Sequence, residues 1–246
     1  MKVALIADIH GNRVALDAAL ADIKRSGADM IVCLGDVVGT GPQPQAVLER
    51  LQALACPVVM GNTDEWALRP ALEQPEDEEA RRIEELDLWS AQQLSTAEKE
   101  YIRSFQPVYR LELDGVSLLC FHGSPRSNME RVEAPMSDEE LDGIFGGEQA
   151  DIMAGGHTHR SLYRWYRGSV IVNPGSVGLP YTYDWQTRQI YNPALAEYAL
   201  LTREKGTLQV DLRRVSYDLQ DLQKAVKASG MPHADWWLND WRPENR

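Results

Sequence analysis

The chain begins with MKVALIADIHGN (residues 1–12), in which an apolar run ends at a polar triplet. The run MKVALIA alternates little between apolar and polar residues, which is typical of a strand buried on both faces. It stops at Asp8-Ile9-His10, and Gly11 then permits a tight turn. A strand that ends in a carboxylate and an imidazole places both groups at one rim of its sheet. This stretch therefore predicts a buried strand whose end carries two candidate metal ligands.

Four further short apolar runs end in the same way. The runs and the residues at which they stop are DMIVCL at Gly35-Asp36, CPVVM at Gly61-Asn62, VSLLCF at His122-Gly123, and ADIMAGG at His157-Thr158-His159. Open α/β sheets gather ligands at the ends of their strands. The five strand ends therefore predict one shared site.

The side chains at these strand ends form a set of two aspartates, one asparagine and four of the five histidines in the chain. The candidate metal ligands are Asp8, His10, Asp36, Asn62, His122, His157 and His159. Nitrogen and oxygen ligands without a thiolate suit Mn²⁺, iron, Zn²⁺, Co²⁺ or Ni²⁺ better than Ca²⁺. The set predicts two divalent cations that share a carboxylate and handle phosphate. Sites of this kind follow metal availability as much as affinity, so the set does not fix the metal, for which manganese is the expectation. At positions 8 and 10, and again at 157 and 159, an extended backbone is expected to point both side chains to one side.

Composition and charge exclude several classes of function. With a net charge of -12, the chain is a poor non-specific binder of nucleic acid or anionic membranes, because both partners are negative. Its three cysteines form no CxxC pair, which fits a reducing compartment. No apolar stretch approaches the roughly 18 to 20 residues needed to span a bilayer, and no leader pattern precedes the first strand. We therefore expect a cytoplasmic protein without stable nucleic-acid binding or a membrane partner.

The apolar patterns predict one domain, residues 1–246, of mixed α and β class. Residues 1–60 have a β-α-β-α-β pattern, with strands at about 2–7, 30–34 and 57–60 and helices at 12–26 and 45–54. Short crossovers of this kind imply parallel strands. The second half is rich in strands, and these halves together predict two stacked mixed sheets with helices outside.

The segment from about 65 to 106 is helical and polar and contains no candidate ligand set. One interpretation is a helical insertion that lies beside the site and covers it. The other is an additional pair of core helices with no role in substrate choice. Both remain open on the sequence.

The second half contains clear turn and helix-start signals. Asp114-Gly115 between VYRLEL and VSLLCF is a strong hairpin turn signal. Ser137 with Glu140 three residues later has the pattern of a capping box, which predicts a helix to Phe145. A tail from about 216 to 246 is expected to contain a helix near 218–229 and then a tryptophan-rich end. The tail tryptophans leave a homo-oligomer open.

The order of these motifs resembles the calcineurin-like metallophosphoesterases over residues 1 to about 180. The matching motifs are Asp8-x-His10, Gly35-Asp36-x-x-Gly39, Gly61-Asn62-x-Asp64, His122-Gly123 and Gly156-His157-x-His159. The resemblance implies a four-layer αββα sandwich of two mixed β-sheets with flanking helices and a helical insertion. It also implies a bridging water or hydroxide between two metals as the nucleophile.

The resemblance assigns each candidate ligand to a metal. It implies that one metal is held by Asp8, His10, Asp36 and His159, and the other by Asp36, Asn62, His122 and His157. Asp36 would then bridge the two. By the same resemblance, the catalytic residues would be Asp36, Asn62, Asp64 and His122.

The third motif departs from the family pattern at one residue. Many family members have a histidine where this chain has Thr63, and that histidine contacts the phosphate and helps the leaving group depart. Threonine can donate a hydrogen bond but is no general acid near neutral pH. A small-phosphodiesterase branch of the family also replaces this histidine. The departure therefore favours phosphodiester substrates with good leaving groups.

Four residues are candidate substrate contacts. Asn12 and Arg13 begin the first helix, where backbone N–H groups favour anions. Arg126 follows the fourth motif, and Thr63 can donate a hydrogen bond. The alternative interpretations are a plain surface arginine for Arg13 and a loop salt bridge for Arg126.

The sequence thus predicts a dinuclear metal-dependent phosphodiesterase that uses a metal-bridging hydroxide on a small phosphate ester or nucleotide. A second hypothesis is a phosphomonoesterase or a hydrolase of nucleotides or dinucleoside polyphosphates. A third hypothesis, from another class of function, is a catalytically silent binding or scaffold module. That reading predicts degraded ligands, whereas all seven ligand positions are intact here.

Overall fold

The computed structural model describes residues 1–73 and 75–244. Gln74 of the predicted insertion and residues 245–246 of the predicted tail lie outside the described residues. The strands are β1 Lys2–Ile6, β2 Met30–Cys33, β3 Tyr109–Glu112, β4 Ser117–Cys120, β5 Ile152–Ala154, β6 Leu162–Tyr166, β7 Ser169–Asn173, β8 Thr182–Asp184, β9 Gln189–Pro193, β10 Leu195–Glu204, β11 Thr207–Ser216 and β12 Trp241–Arg242. The helices are α1 Arg13–Ser26, α2 Pro44–Leu54, α3 Asn62–Leu68, α4 Glu78–Gln93, α5 Thr96–Arg103, α6 Asp138–Phe145, α7 Leu219–Ser229 and α8 Ala234–Asn239.

Two mixed sheets form the centre of the molecule. The first has the strand order β11-β10-β1-β2, and the second has the order β3-β4-β5-β7-β6. β1 pairs in parallel with β2, and β4 pairs in parallel with β5. Because α1 connects β1 to β2, it crosses over one face of the first sheet, as expected for a β-α-β unit.

The two sheets face each other across a shared apolar layer. Val3, Leu5 and Leu34 of the first sheet region are fully buried in one cluster with Ile152 and Val172 of the second. The strands read as near-continuous apolar runs because helices cover their outer faces.

Helices cover both outer faces of the paired sheets. Leu16 of α1 and Leu48 of α2 are buried in one cluster with Ala4 of β1. Leu141 of α6 packs with Phe121 on the other side of the molecule. The predicted four-layer αββα sandwich is therefore confirmed.

The capping box predicted for α6 is present. The Ser137 side chain accepts a hydrogen bond from the Glu140 backbone N–H, and the Glu140 carboxylate accepts one from the Ser137 N–H. These reciprocal contacts satisfy N–H groups that the helix itself leaves without a partner. α6 begins at Asp138, one residue after its cap.

The strand predicted at 57–60 is wrong. Among the described residues, this segment pairs through two isolated bridges, between Cys33 and Val58 and between Val59 and Gln106, and forms no regular strand. Pro57 has no amide hydrogen to donate, and α3 already begins at Asn62, so too few residues remain for a regular ladder. Val59 still lies in the apolar layer between the sheets.

A small third sheet lies outside the sequence predictions. Its order is β12-β9-β8, and β8 and β9 form an antiparallel hairpin. Strands of two to five residues are too short to give a reliable alternation pattern. The short helix α8, which precedes β12, was also not predicted.

The insertion and the tail pack against each other. Leu86 of α4 is fully buried in one cluster with Leu222 and Val226 of α7 and with Trp237 and Trp241 of the tail. We call this group the tail cluster. α4 also contributes Ala91 to the cluster beneath the first sheet. Among the described helices, none combines the length and apolar character needed to cross a membrane.

Candidate metal centre

The polar ends of the apolar runs meet at one edge of the sandwich. Two groups of His and Asp side chains have ligand atoms that all lie within 4.8 Å of one another inside each group. The groups are Asp8, His10, Asp36 and His159, and Asp36, His122 and His157. Asp36 belongs to both groups, as the sequence predicts for a bridging carboxylate.

The first group closes around two imidazoles. The Nε2 atoms of His10 and His159 are 3.0 Å apart. His10 Nε2 lies 3.6 Å from Asp36 Oδ2, and His159 Nε2 lies 3.7 Å from Asp8 Oδ1. These atoms converge on one small volume.

The second group shares the same carboxylate oxygen. His122 Nε2 lies 3.3 Å from Asp36 Oδ2 and 3.0 Å from the side-chain oxygen of Asn62. Asn62 thus lies where its sequence motif predicts, beside His122. The His157 ring packs edge-on against the His122 ring, with centroids 5.2 Å apart.

The backbone that presents these ligands is not extended. Asp8, His10, Asp36, His157 and His159 all have positive φ angles, between 45° and 67°. The sequence predicted that side chains two residues apart share a side because the backbone is extended. The side chains do converge, but the extended backbone given as the reason is wrong. L-residues rarely adopt this conformation, and its cost has to be offset by surrounding contacts.

Backbone hydrogen bonds provide those contacts. The N–H groups of Ile9 and His10 both donate to the Asp36 carbonyl, at 2.8 and 2.9 Å. The Gly178 N–H and the Ser176 hydroxyl both donate to the Asp8 carbonyl, at 3.0 and 2.7 Å. Loops from three parts of the chain therefore hold the ligand backbone in place.

One glycine makes the close approach of two ligand loops feasible. Gly35 has a φ of 97°, and a Cβ there would lie 2.6 Å from the Gly61 nitrogen and 2.9 Å from His122 Nδ1. A side chain at this position would separate the second and third strand ends. Gly35 is therefore required by packing as well as by backbone conformation.

Burial and mutual charge shift the pKa values of the ligands in different directions. Burial lowers the pKa of His10 to about 4, with a further contribution from His159. Burial by itself would lower the pKa of His122. The charge of Asp36 and the hydrogen bond between Asp36 and His122 outweigh this effect and raise the pKa of His122 to about 9. Burial would raise the pKa of Asp36, yet the His122 and His10 imidazoles hold it well below its usual range. Asp36 is thus the carboxylate that stays ionised and attracts positive charge.

The donor atoms fit divalent cations. His122 Nδ1 lies 2.7 Å from the Leu34 carbonyl and His159 Nδ1 lies 2.8 Å from the Leu179 carbonyl, so a proton on each Nδ1 leaves Nε2 for coordination. Asp8 Oδ2 is buried and has no hydrogen-bond partner among the described residues. A buried carboxylate oxygen without a partner is costly unless a cation coordinates it.

Asp64 and Thr63 have structural contacts that the sequence did not reveal. Asp64 is fully buried, and its carboxylate accepts hydrogen bonds from the N–H groups of Val37, Val38 and Gly61. These contacts indicate a positioning role, in contrast to the catalytic role that the motif suggests. The Thr63 hydroxyl donates to the Val38 carbonyl at 2.7 Å. That hydrogen is therefore used within the protein in this structure, and the role of Thr63 as a donor to substrate stays a prediction.

The other three predicted substrate contacts have protein partners instead. The Asn12 side chain caps α1 by accepting from the Ala15 N–H, and its amide donates to the Gly178 carbonyl. Arg13 pairs with Asp17 at 2.6 Å, which supports the surface interpretation. Arg126 pairs with Glu130 in a loop salt bridge, as its alternative interpretation stated. These local partners favour the alternative interpretations of Arg13 and Arg126, and substrate contact by Asn12, Arg13 and Arg126 stays a prediction.

The sequence missed a contact between the insertion and the centre. Ser90 of α4 accepts a hydrogen bond from the Gly39 N–H at 3.1 Å, and Asp87 accepts one from the Thr40 hydroxyl at 2.8 Å. Gly39 and Thr40 follow the shared ligand Asp36 in the chain. α4 therefore supports residues 36–40, which we call the ligand loop, and also contributes to the core. Single polar residues in a helix give no periodic signal that could have revealed this contact.

Comparison with known proteins identifies the fold and family. A family model for the calcineurin-like phosphoesterase superfamily domain matches residues 1–194. Phosphodiesterase YfcE of Escherichia coli K12 is 28% identical over 197 residues, covering 73% of this chain and 81% of that protein. An uncharacterized protein of Methanocaldococcus jannaschii is 24% identical over 249 residues, covering 97% of this chain and 96% of that protein.

Solved structures agree with this assignment. The crystal structure of a metallophosphoesterase from Sphaerobacter thermophilus has a TM-score of 0.74 at 27% identity and covers 98% of this chain and 97% of that one. A protein from Pyrococcus horikoshii OT3 has a TM-score of 0.77 at 22% identity, with 94% of each chain covered, and shows the shared fold. The family model spans most of the chain and includes every candidate ligand. This chain belongs to the calcineurin-like phosphoesterase superfamily.

Proposed function

We propose that this phosphoesterase hydrolyses phosphodiesters with two divalent cations, and that manganese is the favoured metal. The observation that carries the proposal is the position of Asp36 Oδ2, which lies 3.6 Å from His10 Nε2 and 3.3 Å from His122 Nε2. One oxygen thus belongs to two ligand groups. When bound, a pair of such cations acidifies a water molecule and neutralises the phosphoryl oxygens during displacement.

The residues of the chain divide into ligands and supports. Asp8, His10 and His159 would complete one cation site around Asp36, and Asn62, His122 and His157 would complete the other. Asp64 holds the backbone of Val37 and Val38 directly after the shared carboxylate. Its role is to fix the separation of the two groups.

The surroundings of Thr63 support a preference for substrates with good leaving groups, and activated diesters are the class that we propose. The Thr63 hydroxyl donates to the Val38 carbonyl, and its N–H donates to Asp36 Oδ1 at 2.9 Å. Threonine supplies no acid for a departing alkoxide near neutral pH. A substrate with an activated leaving group needs no such acid, and the relative from Escherichia coli is named a phosphodiesterase.

The test compares two substrates that release the same leaving group. Metal-loaded protein is assayed with bis(4-nitrophenyl) phosphate and with 4-nitrophenyl phosphate, and metal content is measured by elemental analysis. We expect kcat/KM for the diester to exceed that for the monoester at least tenfold. Asp36→Asn keeps the side-chain shape but removes the shared charge, so we expect it to lose metal and at least about a hundredfold in activity.

Two outcomes contradict the proposal. Equal or faster turnover of the monoester indicates a phosphomonoesterase. No turnover of either substrate by protein that holds two cations indicates a silent binding or scaffold module.

A further inference from the structure

A cavity of about 700 Å³ adjoins the first ligand group, within the ~300–1,000 Å³ usual for ligand pockets. Its walls come from α4, the β8–β9 hairpin and α8, together with the segment that follows the histidine motif. We call it the side pocket, and the lining residues that the inference uses are Glu79, Arg160, Tyr181, Tyr183, Arg188 and Asp240. No part of the metal mechanism accounts for these residues.

The side pocket is continuous with the candidate metal centre. His159 lines the pocket, and its Nε2 lies 3.0 Å from His10 Nε2 inside the first ligand group. The same ring lies near Tyr181, with ring centroids 6.3 Å apart. A phosphate held between the cations would therefore extend its ester group into the side pocket.

The pocket offers aromatic surface that the fold leaves accessible. Tyr183 is 41% exposed, and the neighbouring Trp185 is 85% exposed and packs edge-on against it. Both belong to the β8–β9 hairpin region and lie outside the main core clusters. A planar base can stack on such side chains, as bases do on the aromatic residues of nucleic-acid-binding proteins.

The pocket also presents cationic groups without acidic partners. Within residues 1–73 and 75–244, no carboxylate forms an ion pair with Arg160 or Arg188, and the Arg160 guanidinium lies 5.1 Å from the centre of the Tyr181 ring. By contrast, Arg164 and Arg167 on the nearby β6–β7 hairpin pair with acidic residues of α6. In a protein of net charge -12, arginines left open in a cavity favour an anionic ligand.

Glu79 and Asp240 also line the side pocket. Carboxylates accept hydrogen bonds from hydroxyl and amino groups, which a nucleoside carries and a simple alkyl ester lacks. A ligand that combines a planar base, ribose hydroxyls and a further phosphate uses the aromatic, acidic and basic groups together.

We propose that the side pocket binds the nucleoside part of the substrate and a second phosphate group, so that the substrate class is a nucleotide of mononucleotide size. The inference rests on the proposed phosphodiesterase function for the orientation of the substrate. The strongly negative net charge excludes long nucleic acids as preferred ligands, because each further phosphate adds repulsion.

The experiment measures nucleotide binding separately from hydrolysis. Metal-loaded protein is titrated calorimetrically with ADP and with inorganic pyrophosphate as the probe without a nucleoside, and ³¹P NMR checks that the ligands remain intact. We expect ADP to bind at least tenfold more tightly than pyrophosphate. Arg188→Ala and Tyr183→Ala each change an exposed residue. We expect Tyr183→Ala to weaken ADP binding about fivefold or more without changing pyrophosphate binding. We expect Arg188→Ala, which removes a cation that would hold the second phosphate, to weaken the binding of both ligands.

Trp165→Ala is the matched control, because Trp165 is an exposed aromatic residue of β6 that does not line the pocket. It should leave ADP binding unchanged. Equal affinity for ADP and pyrophosphate, or ADP binding that both pocket variants leave intact, overturns the inference even if the diester is hydrolysed. Variant-sensitive ADP binding in a protein without phosphoesterase activity would support the side pocket and contradict the proposed function instead.

Discussion

Thr63 is the residue at which leaving-group chemistry can be tested most directly. It follows the ligand Asn62 at the start of α3, and its hydroxyl hydrogen is already donated to the Val38 carbonyl. We predict that Thr63→His raises kcat/KM for an unactivated monoester, phenyl phosphate, at least tenfold relative to bis(4-nitrophenyl) phosphate. The reason is that an imidazole can protonate a departing alkoxide near neutral pH, which contributes about 10²–10⁴-fold where the geometry is right.

Thr63→Gln serves as the control for this prediction, since it adds comparable bulk without an acid. We expect no gain from it on phenyl phosphate. If the glutamine variant gains as much as the histidine variant, the effect comes from altered packing beside Gly39 and the acid interpretation is wrong.

Asp87 links the insertion to the ligand loop and should make stability depend on pH. Burial raises the pKa of Asp87 to about 6, with smaller contributions from the charges of Asp36 and Glu84, against hydrogen bonds from Thr40. Because the folded pKa lies above the unfolded value, the folded state binds the proton more tightly. The stabilisation that the protonated Asp87 carboxyl contributes to the folded state is fully present below about pH 4 and is lost as the pH rises through 6.

We therefore predict that Asp87→Asn, which keeps an oxygen acceptor for Thr40, removes this dependence. Both proteins are treated with a chelator, and the free energy of unfolding of wild type is subtracted from that of the variant. This difference should increase by on the order of 2 kcal/mol between pH 4 and pH 8, because only wild type loses stability as the pH rises. Urea denaturation at both pH values measures it. A constant difference between the two proteins would show that the Asp87 carboxyl does not titrate in this range.

At the scale of elements, the sequence predicted the ligand positions but not how the backbone presents them. Apolar runs that stop at Asp8, Asp36 and His122 are visible as composition, and buried strands produce them. The positive φ angles at five ligands could not be predicted from the sequence. Long-range contacts stabilise them, and the presence of an aspartate or a histidine does not by itself indicate such a backbone conformation. The segment Asn173–Gly178 is one source of those contacts, since Val177 N–H donates to the Ala7 carbonyl.

Gly178 gives a test of this support. A Cβ at this position would lie 1.7 Å from the Ile9 carbonyl oxygen, so a side chain has to displace the backbone between Asp8 and His10. We predict that Gly178→Ala lowers metal affinity at least tenfold, measured by competition with a fluorescent chelator, and destabilises the protein by about 2–4 kcal/mol. Gly143→Ala is the control, because a Cβ on that residue of α6 meets nothing within 4 Å. It should leave metal affinity unchanged and stabilise α6 slightly; equal metal loss in both variants would contradict the prediction.

For the whole molecule, the two paired sheets were predictable and the layer around the side pocket was not. The central strands each carry an apolar run because both of their faces are buried. The side pocket instead depends on α4, α8 and the β8–β9 hairpin, which are separate in sequence. α4 and α8 meet in the tail cluster, and β9 pairs with β12, which follows α8. Elements whose partners lie about fifty or more residues away leave no local pattern, which is why the pocket could not be derived from the sequence alone.

The tail cluster should therefore control substrate binding independently of the metal centre. Leu222 is fully buried against the cluster that includes Leu86 of α4, and truncating a buried leucine costs about 2–5 kcal/mol. We predict that Leu222→Ala loosens α8 and the adjoining wall of the side pocket and raises KM for the diester severalfold. The hydrogen bonds from Gly39 and Thr40 to α4 remain, so kcat and metal content should stay close to wild type. Leu141→Ala offers a matched comparison, because Leu141 is equally buried but lies in the α6 cluster across the molecule. Both variants should lower Tm, and only Leu222→Ala should raise KM; a parallel rise in KM in both would mean that global stability, and not the tail cluster, shapes the pocket.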